Sequence, residues 1–275
     1  MIKRLWFRIM SMIWHRLSAW NTGGEGIHSP RLFYLVRHIL YDTNRLYAWE
    51  DIERRREAML RAPKLVHIED YGTGINREEL VSHIAKKSVM RASDAQRLSR
   101  VLNYMSGTEY VPERRRPLRI VELGTSLGLT TAYLASVNSA NEVVTFEGSA
   151  EVGMMAELNW QKLGLQRIRL IRGNIDETLP KYIAQLSKQG ETIDFVLMDA
   201  NHTGEATLRY WDMLRPLLND DSMVVLDDIR YSRDMYMAWK QIGQDDRVTS
   251  TLDLGQMGVV LVYPPLIKRH YRLRM

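Results

Sequence analysis

The residues best suited to chemistry stand at the ends of apolar runs. Ile120-Val-Glu-Leu-Gly-Thr-Ser-Leu-Gly-Leu-Thr130 carries Glu122 near the end of a strand-like segment, then Gly124 and Gly128, then a helical pattern. Glycines in such a turn let the backbone approach a ligand closely, and a helix start offers unpaired N–H groups to an anion. A dinucleotide fingerprint, Gly-x-Gly-x-x-Gly, would need glycine where Ser126 and Leu129 stand. A carboxylate therefore suits this turn better than a pyrophosphate. Val143-Val-Thr-Phe-Glu147 ends in an acid about twenty residues beyond the glycine turn, where nucleotide-binding α/β folds receive ribose hydroxyls. Ile193-Asp-Phe-Val-Leu-Met-Asp199 and Met223-Val-Val-Leu-Asp-Asp228 end in three further carboxylates. His202 follows Asp199 closely; its type suits taking a proton near neutral pH, ligating a metal or orienting a loop.

Those side chains need a scaffold that gathers strand ends. Ile168-Arg-Leu-Ile-Arg-Gly-Asn174 supplies another strand with a glycine at its exit. Most of these runs are followed by a helix-length segment, so strand–helix units repeat. Nearly continuous apolar strands fit a parallel sheet covered on both faces, with ligands at its carboxyl end. Thr203 and Ser232 stand as N-caps of two helices whose Leu208, Trp211 and Leu214, and Met235, Ala238 and Trp239, fall on core faces. Val248 to Leu252 and Val259 to Val262 read as a terminal antiparallel hairpin, and the basic tail beyond Pro264-Pro265 as an edge strand or a mobile end. Before residue 112 the pattern is mostly helical. Ser29-Pro30 opens a helix to Leu40, another spans 44–61, and two more are expected over 77–89 and 93–105. Val66-His-Ile68 reads as a short strand ahead of Asp70-Tyr-Gly-Thr-Gly74, a loop over a site mouth or a plain turn.

Taken in order, Glu122-Leu-Gly-x-x-x-Gly128, Glu147, Gly173-Asn174, Asp199 and Asp227-Asp228 resemble the class I S-adenosylmethionine-dependent methyltransferases. Their spacing is most similar to that of the catechol-type, metal-dependent O-methyltransferases. Gly26-Ile-His-Ser-Pro30 and Asp199-Ala-Asn-His202 also resemble uncharacterised bacterial methyltransferases. The resemblance spans residues 80 to 264. It implies an α/β, Rossmann-like doubly wound sheet over 113–275, mostly parallel with a reversed last strand, preceded by a helical extension and cap over 1–112. It also implies a pocket for S-adenosylmethionine. There Gly124, Thr125, Ser126 and Gly128 shape the methionine end, Thr130 meets its carboxylate and Glu122 its amino group. Glu147 and Gly148 take the ribose, while Asn174, Ile175 and Asp176 line the adenine. Asp199 is a cofactor contact in metal-free relatives. With Asp227 and Asp228 it also occupies the Mg2+ positions of the catechol-type enzymes, whose third ligand is commonly asparagine. Such an ion would hold and acidify a substrate hydroxyl; Asp228 as a helix cap is the alternative. His202 stands near the place of their lysine base, so Asp199 and His202 are the expected catalytic residues. The implied activity is O-methylation of a small hydroxylated acceptor. A non-catalytic cofactor-binding or membrane-associated scaffold is the alternative class.

Composition narrows the partners. The 275 residues are 45% hydrophobic, ample for a core, and lack cysteine, which excludes disulfides, thiolate metal sites and a cysteine nucleophile. No apolar run reaches membrane-span length, and Arg8 interrupts the early apolar stretch, so no signal peptide is expected and a cytoplasmic location is. The net charge of +5 gathers at Lys3, Arg4, Arg8 and Arg16, at Arg114-Arg-Arg116, and at Lys268, Arg269, Arg272 and Arg274. No basic sheet face interleaved with aromatics accompanies it. Asp199-Ala-Asn-His202 also stands where base N-methylating enzymes carry Asn/Asp-Pro-Pro-Tyr/Phe, so nucleic-acid methylation is disfavoured. Residues 2–20 place Ile2, Leu5, Trp6, Ile9, Ile13, Leu17 and Trp20 on one helical stripe. That stripe docks on its own domain, pairs with a second subunit in a homodimer, or makes peripheral contact with an anionic membrane.

Overall fold

A computed structural model describes residues 2–69, 71, 74–107 and 116–275. The boundary expected near residue 112, together with Arg114, Arg115, Asp70, Gly72 and Thr73, lies outside the described residues. Helix α1 (Ile2–Ser18) comes first. Ser29 caps α2 (Pro30–Tyr34), its hydroxyl accepting from the Leu32 N–H at 3.4 Å, and Leu35–Leu40 continue the helix in wider, π-type turns. Helix α3 (Ala48–Leu60) leads to an antiparallel hairpin of β1 (Leu65–Ile68) and β2 (Arg77–Leu80). The helix expected from residue 77 therefore starts late. Residues 77–80 find ladder partners on β1, Leu80 opposite Leu65, and α4 (Val81–Lys87) begins only after the extended Leu80. Helix α5 (Ala92–Met105) follows.

Strands and helices then alternate: β3 (Arg119–Leu123), α6 (Leu129–Ala135), β4 (Glu142–Glu147), α7 (Ala150–Lys162), β5 (Ile168–Arg172), α8 (Ile175–Gln189) and β6 (Ile193–Met198). After them come α9 (Gly204–Leu214), β7 (Leu218–Leu226), α10 (Arg233–Ile242), β8 (Ser250–Asp253), β9 (Gly258–Leu261) and β10 (Arg269–Arg272). Thr203 and Ser232 cap α9 and α10 through their hydroxyls, as their sequence positions suggest.

The chain forms two compact units, residues 42–182 and residues 1–41 with 183–275. Strands β3 to β10 belong to one eight-stranded, mostly parallel sheet of the α/β, Rossmann-like class. In the first unit β3, β4 and β5 run parallel in that order. In the second, β6 is parallel to β7, β9 lies antiparallel between β7 and β8, and β10 runs parallel to β8. The reversed strand is thus β9, and the basic tail adds a parallel edge strand beyond the hairpin. Strands β3, β4 and β6 are almost wholly buried, as parallel strands covered on both faces should be. Strand β5 exposes Arg169 and Arg172, charges that discourage pairing along a sheet edge.

Packing within residues 42–182 explains the second glycine of the turn. Gly128 has φ +71°, and a Cβ there would stand 2.6 Å from Trp160 Nε1 and 2.8 Å from the Ala156 Cβ on α7. Trp160 Nε1 donates to the Gly128 carbonyl at 2.7 Å, and Asn159 Nδ2 to the Leu127 carbonyl at 2.8 Å. The requirement for glycine thus comes from α7, not only from a ligand. Gly128→Ala should cost about 3 kcal/mol through left-handed strain and overpacking. A urea midpoint unchanged from wild type would show that α7 yields freely.

Candidate functional site

A buried polar cluster holds the turn after β3. Glu122 is fully buried, and its Oε2 accepts from the hydroxyls of Thr131 on α6 and Thr145 on β4. Thr145 Oγ1 also lies 2.6 Å from Thr125 Oγ1. With its own proton committed to Glu122, Thr145 accepts from Thr125. Among the described residues, Glu122 Oε1 and Ser126 Oγ are buried without a hydrogen-bond partner. Burial pushes the Glu122 carboxyl up to about 7, against the pull of the two hydroxyls, and the Glu147 charge adds to the rise.

Glu147, the last residue of β4, closes the turn. Its Oε2 accepts from the Ser126 N–H at 2.8 Å and its Oε1 from the Ser149 N–H at 2.9 Å. Burial raises its pKa, and these backbone donors oppose the rise. Gly124 has φ +97° and Ser126 φ +49°; the Gly124 and Thr125 N–H groups both donate to the Phe146 carbonyl at 3.1 Å. Thr130 is buried in α6. At the exit of β5, Gly173 N–H donates to the Glu147 carbonyl at 2.9 Å. Asn174 then starts α8, its Oδ1 accepting from the Asp176 N–H at 3.0 Å, with Ile175 buried and Asp176 half-buried.

The β1–β2 hairpin reaches this same corner. Ser149 Oγ donates to the His67 carbonyl at 2.8 Å, Ala150 N–H to the Glu69 carboxylate at 2.9 Å, and His67 N–H to the Glu151 carboxylate at 2.8 Å. Beneath it Val66, Val81 and Ile84 pack with Leu127 and Val152. Tyr71 stands where a Cβ on Gly148 would meet its Cδ2 at 2.9 Å. Tyr71, in the stretch expected as a mouth loop or a plain turn, lies against the Glu147–Gly148 turn.

In the other unit, the exits of β6 and β7 carry the remaining candidates. His202 Nε2 lies 3.8 Å from Asp199 Oδ1. Asn201, His202 and Asp228 adopt left-handed backbone at φ +60°, +38° and +51°. Each such conformation costs of order 1 kcal/mol or more and persists only where surroundings enforce it. The Asn201 amide donates to the Tyr210 hydroxyl. Burial lowers the His202 pKa below its ordinary 6.5; Asp228 resists the shift and Arg8 assists it. The Tyr231 ring lies 5.4 Å from that of His202, with the Arg4 and Arg8 guanidinium groups 4.5 and 5.5 Å from its centre. Arg230 does not line this region, despite its position beside Tyr231. It is buried, donating to both carboxylate oxygens of Asp253 at 2.7 and 2.6 Å and to the Gly255 carbonyl.

Residues 121–229, from within β3 to just past β7, match a family model described as a methyltransferase domain. The O-methyltransferase from Bacillus cereus, solved in complex with SAH, is similar with a TM-score of 0.54 and 16% identity, over 80% of this chain and 93% of that one. TomG, an O-methyltransferase from Streptomyces achromogenes involved in tomaymycin synthesis and solved with SAM, gives a TM-score of 0.50 and 17% identity over 64% and 82%. At these identities the likeness is one of fold. No curated protein matches the sequence. Residues 121–229 are thus similar to methyltransferase domains, in a fold shared with these O-methyltransferases.

The residues around the glycine turn have groups that suit an S-adenosylmethionine donor. An unpartnered, buried carboxylate oxygen on Glu122 is suited to an ammonium donor, and the Ser126 hydroxyl to a further polar group. The expected metal set fits less well. Among the described residues, no three His, Asp or Glu side chains are disposed to hold one ion. Asp227 is buried, whereas Asp228 follows it with left-handed backbone and has the Arg8 guanidinium 3.9 Å from its carboxylate. Among the described residues Asp199, Asp227 and Asp228 are thus not gathered into one set of metal ligands. The sequence reading missed Thr131 and Thr145, whose hydroxyls fix Glu122, because isolated threonines in a strand and a helix carry no motif.

Two measurements check these points. The folded state keeps a proton on Glu122 up to about 7, whereas the unfolded chain releases it near 4.5. The associated stability is therefore complete below 4.5 and lost as pH rises through about 7, amounting to on the order of 3 kcal/mol. Urea unfolding of Glu122→Gln should lack this slope, and a slope equal to wild type would put the proton elsewhere. Thermal unfolding with and without Mg2+ should superimpose. A rise in Tm that Asp227→Asn with Asp228→Asn abolishes would restore the metal set.

Proposed function

We propose that the chain transfers a methyl group from S-adenosylmethionine to a hydroxyl oxygen of a small acceptor, with His202 as the base. The observation that carries this reading is the His202 imidazole, kept neutral by burial and set 3.8 Å from the Asp199 carboxylate. A hydroxyl is a poor nucleophile until its proton is removed, and a neutral imidazole at this point suits the task.

When bound, S-adenosylmethionine supplies a sulfonium-activated methyl group open to direct displacement. Glu122 Oε1 accepts from its ammonium, and Gly124, Thr125, Ser126, Gly128 and Thr130 enclose the methionine end. Glu147 and Gly148 hold the ribose, using the carboxylate capacity left by the Ser126 and Ser149 N–H groups. Asn174, Ile175 and Asp176 flank the adenine. As the acceptor oxygen attacks, His202 Nε2 takes its proton, and Asp199 balances the resulting imidazolium. Release of that proton to water resets the base. Tyr231 gives the acceptor a flat neighbour beside His202.

Incubation with methyl-labelled S-adenosylmethionine and a small-molecule extract should yield labelled methyl ethers. His202→Ala should lower kcat/KM by about 10²–10⁴-fold while donor affinity is retained. Because burial favours the neutral imidazole, the acid limb of the wild-type profile should lie below pH 6.5 and vanish in the variant. Label confined to RNA, or a variant as active as wild type, would remove His202 and the hydroxyl acceptor from the reading.

A further inference from the structure

We propose that the outward face of α1 binds an anionic membrane surface. The helix is inverted relative to an ordinary surface helix: its polar stripe is docked and its apolar stripe faces solvent. On the docked side, Arg8 lies 3.9 Å from Asp228, and the Phe7 ring 6.3 Å from that of Tyr236. His15 is buried with Nε2 3.1 Å from the Asp253 carbonyl and 3.3 Å from its carboxylate. Past the helix, Asn21 N–H donates to the Arg272 carbonyl at 3.2 Å. The helix is therefore fixed along its length with its other side turned outward. On that side Leu5, Trp6, Ile9, Ile13, Leu17 and Trp20 are 48–79% exposed.

A continuous apolar stripe of this kind marks an interaction surface. Its charge identifies the occupant. The helix contains no acidic residue; the exposed Lys3 borders the apolar stripe, and the exposed Arg16 stands within it, a long side chain able to reach out to headgroups. Arg272 sits 4.0 Å over the Trp14 ring at the stripe's edge. A second copy would set these cations against their own kind. Anionic headgroups complement them, while the acyl boundary receives the leucines and isoleucines and the interface suits tryptophan. Seventeen residues make a helix about 25 Å long, so it lies in the surface plane. Among the described residues no helix is long and apolar enough to cross a membrane. This inference goes beyond the methyl-transfer reading and does not depend on it.

Sedimentation of the full chain with vesicles tests it without any activity assay. The protein should pellet with vesicles of phosphatidylcholine and phosphatidylglycerol, remain in solution with phosphatidylcholine alone, and be released by high salt. Tryptophan emission should shift to the blue on binding. Trp6, Trp14 and Trp20 are exposed, whereas Trp49, Trp160, Trp211 and Trp239 are already buried. Ile9→Glu with Ile13→Glu, which leaves the docked side untouched, should reduce binding roughly tenfold or more at unchanged Tm. Lys3→Glu with Arg16→Glu should weaken binding to the anionic vesicles and keeps the test open if the first variant unfolds. Failure to pellet with anionic vesicles at low salt overturns the proposal. So does self-association in solution that the isoleucine variant abolishes while vesicle binding is absent.

Discussion

A buried carboxylate with one oxygen saturated and the other bare governs the geometry of the glycine turn. Glu122 draws Thr131 of α6 and Thr145 of β4 onto a single oxygen, and Thr125 completes the chain of hydroxyls. Those contacts tie strand, turn and helix at one point. Glu147 ties the same turn from above through the Ser126 N–H. An unpartnered buried acceptor costs about 1–3 kcal/mol, and Glu122 Oε1 is one of these among the described residues. The same burial raises the pKa of Glu122, and the neighbouring Glu147 charge adds to the rise.

The other unit handles charge differently. His202 and Asp228, with Asn201 beside them, sit on left-handed backbone, so their positions come from loop geometry enforced by packing. His202 is half-buried, its pKa lowered by partial burial, with Asp199 as its companion. Arg4 and Arg8, brought by α1, surround Tyr231 with positive charge. The N-terminal helix thus contributes to the electrostatics of a region far from it in sequence.

Much of this could be read from the residues, for identifiable reasons. Buried parallel strands leave unbroken apolar runs, and their exits are marked by glycine or acid, so β3, β4, β6 and β7 and the residues that follow them were visible. The caps at Ser29, Thr203 and Ser232 were visible because a hydroxyl before a helix is a local device. What depended on distant partners was not. Residues 77–80 look helical alone and become a strand because β1 offers a ladder. Gly128 suggested a ligand, yet Trp160 and Ala156 of α7 demand it. Arg230 stands beside Tyr231 in the chain, yet a carboxylate twenty-three positions on holds it in the interior. The apolar stripe of α1 was legible, but the stripe alone could not say which side of the helix docks.

The buried Arg230–Asp253 ion pair is capped by the His15 imidazole, which burial keeps on the neutral side, and of the three only His15 comes from the first twenty residues. A shortened chain starting after α1 would be left with a carboxylate, a carbonyl and an aromatic ring newly wetted, where the full chain has them sealed. The opening segment is accordingly a structural member of its domain. Expression vectors that trim it as a leader would yield a different folding unit, not the same one minus an appendage.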